Sequence, residues 1–241
     1  VGTAAIAIGS LALFLPVPPH EKALRKQEVS YFEDMRLGFR YIRGHRYLLS
    51  FFAYLSLFLF FVTPAAFLTP LQVTRSFGAD VWRLTAIEIA FSAGMMLGGG
   101  LIAAWGGFKN RVRTMLLSNL VMALCTIALG LVPLFWLYLV FMGLFGVAMP
   151  FFNTPSAVML QEQVETSYLG RVFSVMTMLS TSLMPIGMLI FGPLAELVPI
   201  ELLLLGSGAV LLAMAIGLPF NRRLLEAGRK PEAPAAFHGN S

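Results

Sequence analysis

Runs of about twenty consecutive apolar residues recur down the chain, and a helix of that length crosses a hydrocarbon layer about 30 Å thick. Seven runs can be read, at residues 1–17, 47–71, 84–105, 115–132, 134–160, 172–194 and 202–220. Barrel strands would instead show stretches of about ten residues with alternating polarity, whereas these runs are longer and continuous. Composition agrees, since 12% of residues are charged and 58% hydrophobic, against roughly 25% charged in a soluble domain. The fold class expected is an all-α membrane protein built as a helical bundle.

A formal charge of +5 could indicate nucleic acid or an anionic surface, and the placement of the charges decides between them. Basic residues stand between the apolar runs, where lipid headgroups lie. No cluster of them is interleaved with exposed aromatics as a nucleic-acid groove requires, so membrane lipid is expected as a partner and nucleic acid is not. Alternate loops differ sharply in charge. One set, with the tail, takes all of the 17 basic residues except Arg75 and Arg83. Because Lys and Arg near span ends are retained in the cytoplasm, the C-terminus is expected there.

The first run begins already apolar, lacks an initiator Met and has no basic n-region or cleavage site of a signal peptide. It reads as the end of a cut helix, which makes the chain a fragment of a longer membrane protein. Residues 18–46 form the long polar stretch between spans. There Ser30 and Glu33 make a capping box, and Phe32, Met35, Phe39 and Ile42 recur at helical spacing while Arg36, Arg40 and Arg43 fall on another face. Two placements fit such an amphipathic helix: in the acyl boundary with its cations at headgroups, or packed as a cover on the bundle. Residues 47–220 then hold six spans, and 221–241, polar and Pro-rich, read as a disordered cytoplasmic tail.

Catalytic motifs are absent. No GxxxxGK[ST] phosphate loop occurs, and the spans hold no nucleophile with a His base and no paired acids, so an enzyme is not expected. Cys125 is the only cysteine, and His20, His45 and His238 lie outside the spans without ligand spacing, so neither a metal nor a cofactor is expected. Gly98, Gly100 and Ala103 match the dinucleotide pattern GxGxxA, but inside an apolar helix with no preceding strand. Ala90, Gly94 and Gly98 read better as a small-residue stripe that lets a neighbouring backbone approach.

Glu88 is the one acid well inside an apolar run, where a charged side chain costs about 2.5–3.5 kcal/mol. Such a residue faces a cavity, a partner or a proton path. It also lies five residues from Arg83, roughly 7 Å along a helix axis, so a local ion pair competes with a coupling role. Phe91, Ser92 and Met95 share its face as substrate-cavity candidates. The run at 134–160 carries Pro150 and Pro155 around Asn153, Thr154 and Ser156, and each proline frees a backbone carbonyl, as in kinked or discontinuous helices that line cavities. Phe141, Phe145, Met149, Phe152 and Ser156 fall on one face, a soft wall suited to a bulky amphiphile, with Asn153 as a polar contact.

Three segments together, Trp105-Gly106-Gly107-Phe108-Lys109-Asn110-Arg111, Pro150-Phe151-Phe152-Asn153-Thr154-Pro155 and Gly170-Arg171-Val172-Phe173-Ser174, resemble the C-terminal half of a major facilitator superfamily transporter, most like its bacterial macrolide-efflux branch. The linker Gly38-Phe39-Arg40-Tyr41-Ile42 resembles the one before helix seven of that branch. The resemblance implies the C-terminal six-helix half of that fold plus the end of helix six, with the N-terminal half of the same transporter as partner. It also implies export driven by protons, from two halves that rock about a central site in the bacterial inner membrane. The loop from Gly106 to Arg113 stands where the superfamily carries a cytoplasmic gating motif. It lacks that motif's Asp, leaving Gly106 and Gly107 for a turn and Lys109, Arg111 and Arg113 as cations for gating or for orientation alone. Gly170 and Arg171 mark a second gating loop. The expected function is proton-antiport export of an amphiphilic drug such as a macrolide. Export of another amphiphile such as a siderophore, or a receptor-like seven-helix protein, remains open. The receptor is the weaker alternative, since residues 202–220 contain no Lys for a retinal Schiff base.

Overall fold

The computed structural model describes residues 31–217, and among these every regular element longer than a turn is a helix. The run at 1–17, Ser30 of the capping box and the tail at 221–241 lie outside the described residues. In chain order the helices are α1 (Tyr31–Gly44), α2 (Arg46–Phe67), α3 (Thr69–Ser76), α4 (Val81–Trp105), α5 (Arg111–Leu131), α6 (Phe135–Gln163), α7 (Thr166–Leu197) and α8 (Ile200–Gly217). Among the described residues six spans are long and apolar enough to cross a membrane, with α2 and α3 running on as one stretch, Arg46–Ser76.

The break between α2 and α3 falls at Leu68, bracketed by Pro64 and Pro70. Neither proline has an N–H for the helix ladder, and Pro70 sits in the first turn of α3, where that donor is not needed. The span therefore continues beyond residue 71, where the apolar run stops, to Ser76. In α6 the outcome is the opposite. That helix passes unbroken through Pro150 and Pro155 over 29 residues, so of the kinked and discontinuous forms expected there the discontinuous one is not found. At its start, α5 is capped by Asn110, whose side chain accepts from the Val112 N–H at 3.0 Å.

Helix α4 packs on α6, α6 also on α5, α5 on α8, α8 on α2, and α2 on α7. The series leaves α4 and α7 as its two least covered members, with 22% and 17% of their apolar windows buried against 61% for the α2–α3 span. The α4–α6 contact is a backbone approach. A Cβ on Gly94 would strike the carbonyl oxygen of Gly143, one on Gly98 that of Val147, and one on Gly146 that of Phe91. Small residues at this crossing allow close packing in a medium where apolar burial between helices drives little. Gly98 thus belongs to a helix interface and not to a nucleotide turn.

Helix α1 packs on α7, as a cover helix would. Gly38 lies against α7, where a Cβ would sit 2.9 Å from the Arg171 carbonyl oxygen, and Ile42 is buried beside it. Tyr41 stacks on Tyr168 of α7 at 4.4 Å between ring centroids. Phe39 departs from the apolar face assigned to it and is exposed, near the outward stripe of Arg36, Arg40 and Arg43.

Candidate functional site

Glu88 stands two turns into α4, exposed, and in no ion pair among the described residues. The local partner anticipated for it is otherwise engaged. Arg83 pairs through Nε with Asp80 at 3.3 Å and lies over the Trp82 and Phe135 rings at 5.4 and 5.7 Å. Ser92 and Met95 are exposed on the same side of α4, while Phe91 is half-buried and tilted against Phe145 at 6.3 Å. A carboxylate, a hydroxyl and a thioether are thereby offered beyond the packed Gly94–Gly98 edge.

On α6 the expected wall divides. Phe145, Phe152 and Ser156 are buried in the bundle core and line no open surface. Phe152 stacks on Phe58 of α2 at 4.0 Å with Tyr54 beyond it, and Ser156 donates to the Phe152 carbonyl at 2.6 Å. Met149 is half-buried and Asn153 exposed, one turn apart where the packed face gives way to the outside. The structure thus leaves Glu88, Ser92, Met95, Met149 and Asn153 accessible, with Phe91 and Phe145 beneath.

At the end of the bundle that carries the basic loops, Gly106 and Gly107 adopt positive φ (73° and 78°), the left-handed conformation that ends α4 and that side chains disfavour. The turn is closed by the Phe108 N–H donating to Thr114 Oγ1 at 2.9 Å. Arg111 reaches the Gly106 carbonyl through Nη1 and Glu162 of α6 through Nη2, each at 3.2 Å. Lys109 and Arg113 are exposed beside a groove of about 870 Å³ along this loop. Glu162 was missed from the sequence, where an acid was sought inside the loop. It lies 51 residues on, just past the apolar run of α6, and an acid at the same membrane level as the basic loop was the available signal.

Gly170 is exposed in the second turn of α7, and the Arg171 guanidinium lies over the Tyr168 ring at 5.5 Å. Around them the start of α2 and the end of α6 are joined, with Tyr47 donating to the Gln163 carbonyl at 2.7 Å. The two candidate gating loops therefore sit at one end but hold different helices: one ties α4 and α5 to α6, the other α7 to α1. The opposite end is fixed separately. There Tyr138 donates to Gln72 Oε1 at 2.9 Å, Gln72 donates to the Leu129 carbonyl at 2.8 Å, and Arg75 pairs with Glu196 at 3.0 Å. Among the described residues no three His, Cys, Asp or Glu side chains gather as a metal site.

Comparison with known proteins agrees with this architecture. The profile of the Major Facilitator Superfamily matches residues 1–188, and the chain belongs to that family. Among curated proteins it is 26% identical over 205 residues to macrolide efflux protein A of Streptococcus pyogenes, covering 84% of this chain and 51% of that protein. It is 25% identical over 186 residues to macrolide efflux protein A of Enterococcus faecalis, covering 76% of this chain and 58% of that one. The chain spans about half the length of these relatives. No solved structure matches it. A multi-pass membrane protein with the helices of one superfamily half is what the fold and these relatives together define.

Proposed function

We propose that this chain is the C-terminal half of a secondary transporter that exports an amphiphilic drug of macrolide type from the bacterial cytoplasm in exchange for protons, with the other half supplied by the rest of the same polypeptide. Support for the substrate class comes from the macrolide efflux relatives. The observation that carries proton coupling is Glu88: an acid on the accessible face of an apolar span, whose neighbouring cation is committed to Asp80. A carboxyl group there changes charge on binding a proton, and the cost of a bare charge at that depth couples proton uptake to the conformation that exposes it. Met95, Met149 and Asn153 supply an adaptable apolar surface with a hydrogen-bonding point. Arg111 and Glu162 act as a latch between helices at the cytoplasmic end, where a single ion pair between two partly buried side chains can open and close. The inner membrane, with basic loops and C-terminus inside, is the setting that the placement of charge favours.

The test is accumulation of a labelled macrolide in cells expressing the full-length protein. Low accumulation that rises when a protonophore is added is expected; equal accumulation with and without it overturns proton-coupled export.

A further inference from the structure

Several hydroxyl side chains in the spans of this protein are satisfied within their own helix. Ser56, Thr63, Thr126 and Ser156 each donate to the carbonyl four residues earlier on their own helix, at 2.8, 2.9, 2.8 and 2.6 Å. That is how a hydroxyl is satisfied where no water is present. Ser174 of α7 does the same with Gly170 at 2.9 Å. Thr177, Thr181 and Ser182 are exposed on the same helix and make no hydrogen bond among the described residues.

These residues share a feature of the surface. Gly170, Ser174, Thr177 and Thr181 recur at spacings of four, three and four, which is one face of a helix. With Ser182 they floor a groove of about 460 Å³, and Phe173 and Met178 complete its lining. No charged side chain takes part. The packed face of α7, through Val172, Val175 and Gly187, is elsewhere on the helix. Beyond Pro185 the exposed chemistry changes, and Ile186, Met188, Leu189 and Ile190 present apolar side chains. One helix thus exposes an apolar half suited to lipid and a hydroxylated half that lipid does not satisfy.

We propose that the groove on α7 binds the neutral, oxygen-rich part of the exported amphiphile, with Thr177, Thr181 and Ser182 exchanging hydrogen bonds with its hydroxyl, ether or carbonyl groups and with Phe173 and Met178 against its apolar body. This rests on the efflux reading and names the chemistry that the transporter selects. Hydroxyls both donate and accept, so they take such a surface in many orientations, and the absence of charge leaves a cationic centre on the same molecule to another part of the path.

The experiment uses the full-length protein with Cys125→Ser and one new cysteine at a time: Thr177→Cys, Thr181→Cys, or Leu189→Cys as the apolar control. A membrane-impermeant maleimide reacts with thiolate, which forms in water and not in lipid, so the first two are expected to label about tenfold faster than the control or more. Titrated erythromycin is expected to slow their labelling and leave the control unchanged. Labelling as slow as at position 189, whether from lipid or from the other half of the transporter covering the groove, overturns the proposal, and so does labelling indifferent to erythromycin. As a second measurement, the isosteric Thr177→Val, Thr181→Val pair is expected to raise the erythromycin concentration for half-maximal efflux several-fold while the maximal rate holds; an unchanged midpoint also overturns it. Export by the wild-type protein separates the two ideas. Protection without export contradicts the efflux reading alone, and export without protection contradicts the groove alone.

Discussion

At the residue scale, some of the polar groups inside the bundle are joined in chains. Tyr138 and Gln72 are both buried, and Gln72 passes the chain on to the Leu129 carbonyl. Tyr138→Phe keeps the ring and leaves Gln72 Oε1 without its donor, so the full-length protein in detergent is expected to lose about 0.6–1.7 kcal/mol, read as a lower Tm. An unchanged Tm would show that the amide finds another partner. Asn119 makes a similar junction deeper in the bundle, donating to the Tyr54 hydroxyl at 2.7 Å and the Leu211 carbonyl at 3.2 Å. Glu88 differs from all of these because no partner holds it among the described residues. Its depth was legible in the sequence, since an acid inside an apolar run is conspicuous. Its freedom from Arg83 was not, because that depends on Asp80 and the Trp82 and Phe135 rings converging on one guanidinium.

At the element scale, the α4–α6 crossing makes a sharp contrast between neighbouring glycines. A Cβ at Gly98 meets the Val147 backbone, whereas one at Gly100 meets nothing within 4 Å. Gly98→Ala is expected to force the helices apart at a cost of about 1–3 kcal/mol, with a lower Tm and reduced efflux. Gly100→Ala, two residues away, is expected to leave both unchanged or slightly raise the Tm through helix propensity. Equal effects of the two would mean that the crossing is looser than described. The six spans among the described residues were readable because twenty-residue apolar runs have few other uses. Helix ends were not, since most of α3 and the first turns of α7 are polar enough to fall outside those runs. Which face of α6 meets its neighbours was also hidden. Periodicity shows that Phe145, Phe152 and Ser156 share a face, but in lipid the outer face is as apolar as the inner one, so only the packing of the bundle, with Phe152 on Phe58 and Phe145 on Phe91, places them in the core.

At the scale of the whole molecule, a six-span bundle with two poorly covered helices spans about half of its relatives, and its uncovered surfaces carry the candidate coupling acid and the hydroxylated groove. Its ends differ in charge: one gathers Arg111, Arg113, Lys109 and the arginine stripe of α1, whereas exposed tryptophans stand at both, Trp105 at the basic end and Trp82 and Trp136 at the other, as interfacial aromatic rings do. In intact cells Arg113→Cys is expected to resist an impermeant maleimide while Leu134→Cys reacts, and everted vesicles are expected to reverse the pattern. The opposite result would invert the bundle and place Glu88 nearer the cytoplasm. Coupling itself is tested most directly in everted vesicles carrying the full-length transporter, with an imposed pH gradient followed by a pH-sensitive dye. Adding macrolide is expected to dissipate the gradient with the wild-type protein and to leave it intact with Glu88→Gln at equal expression. Dissipation of the same size from both proteins would contradict the assignment of proton exchange to Glu88.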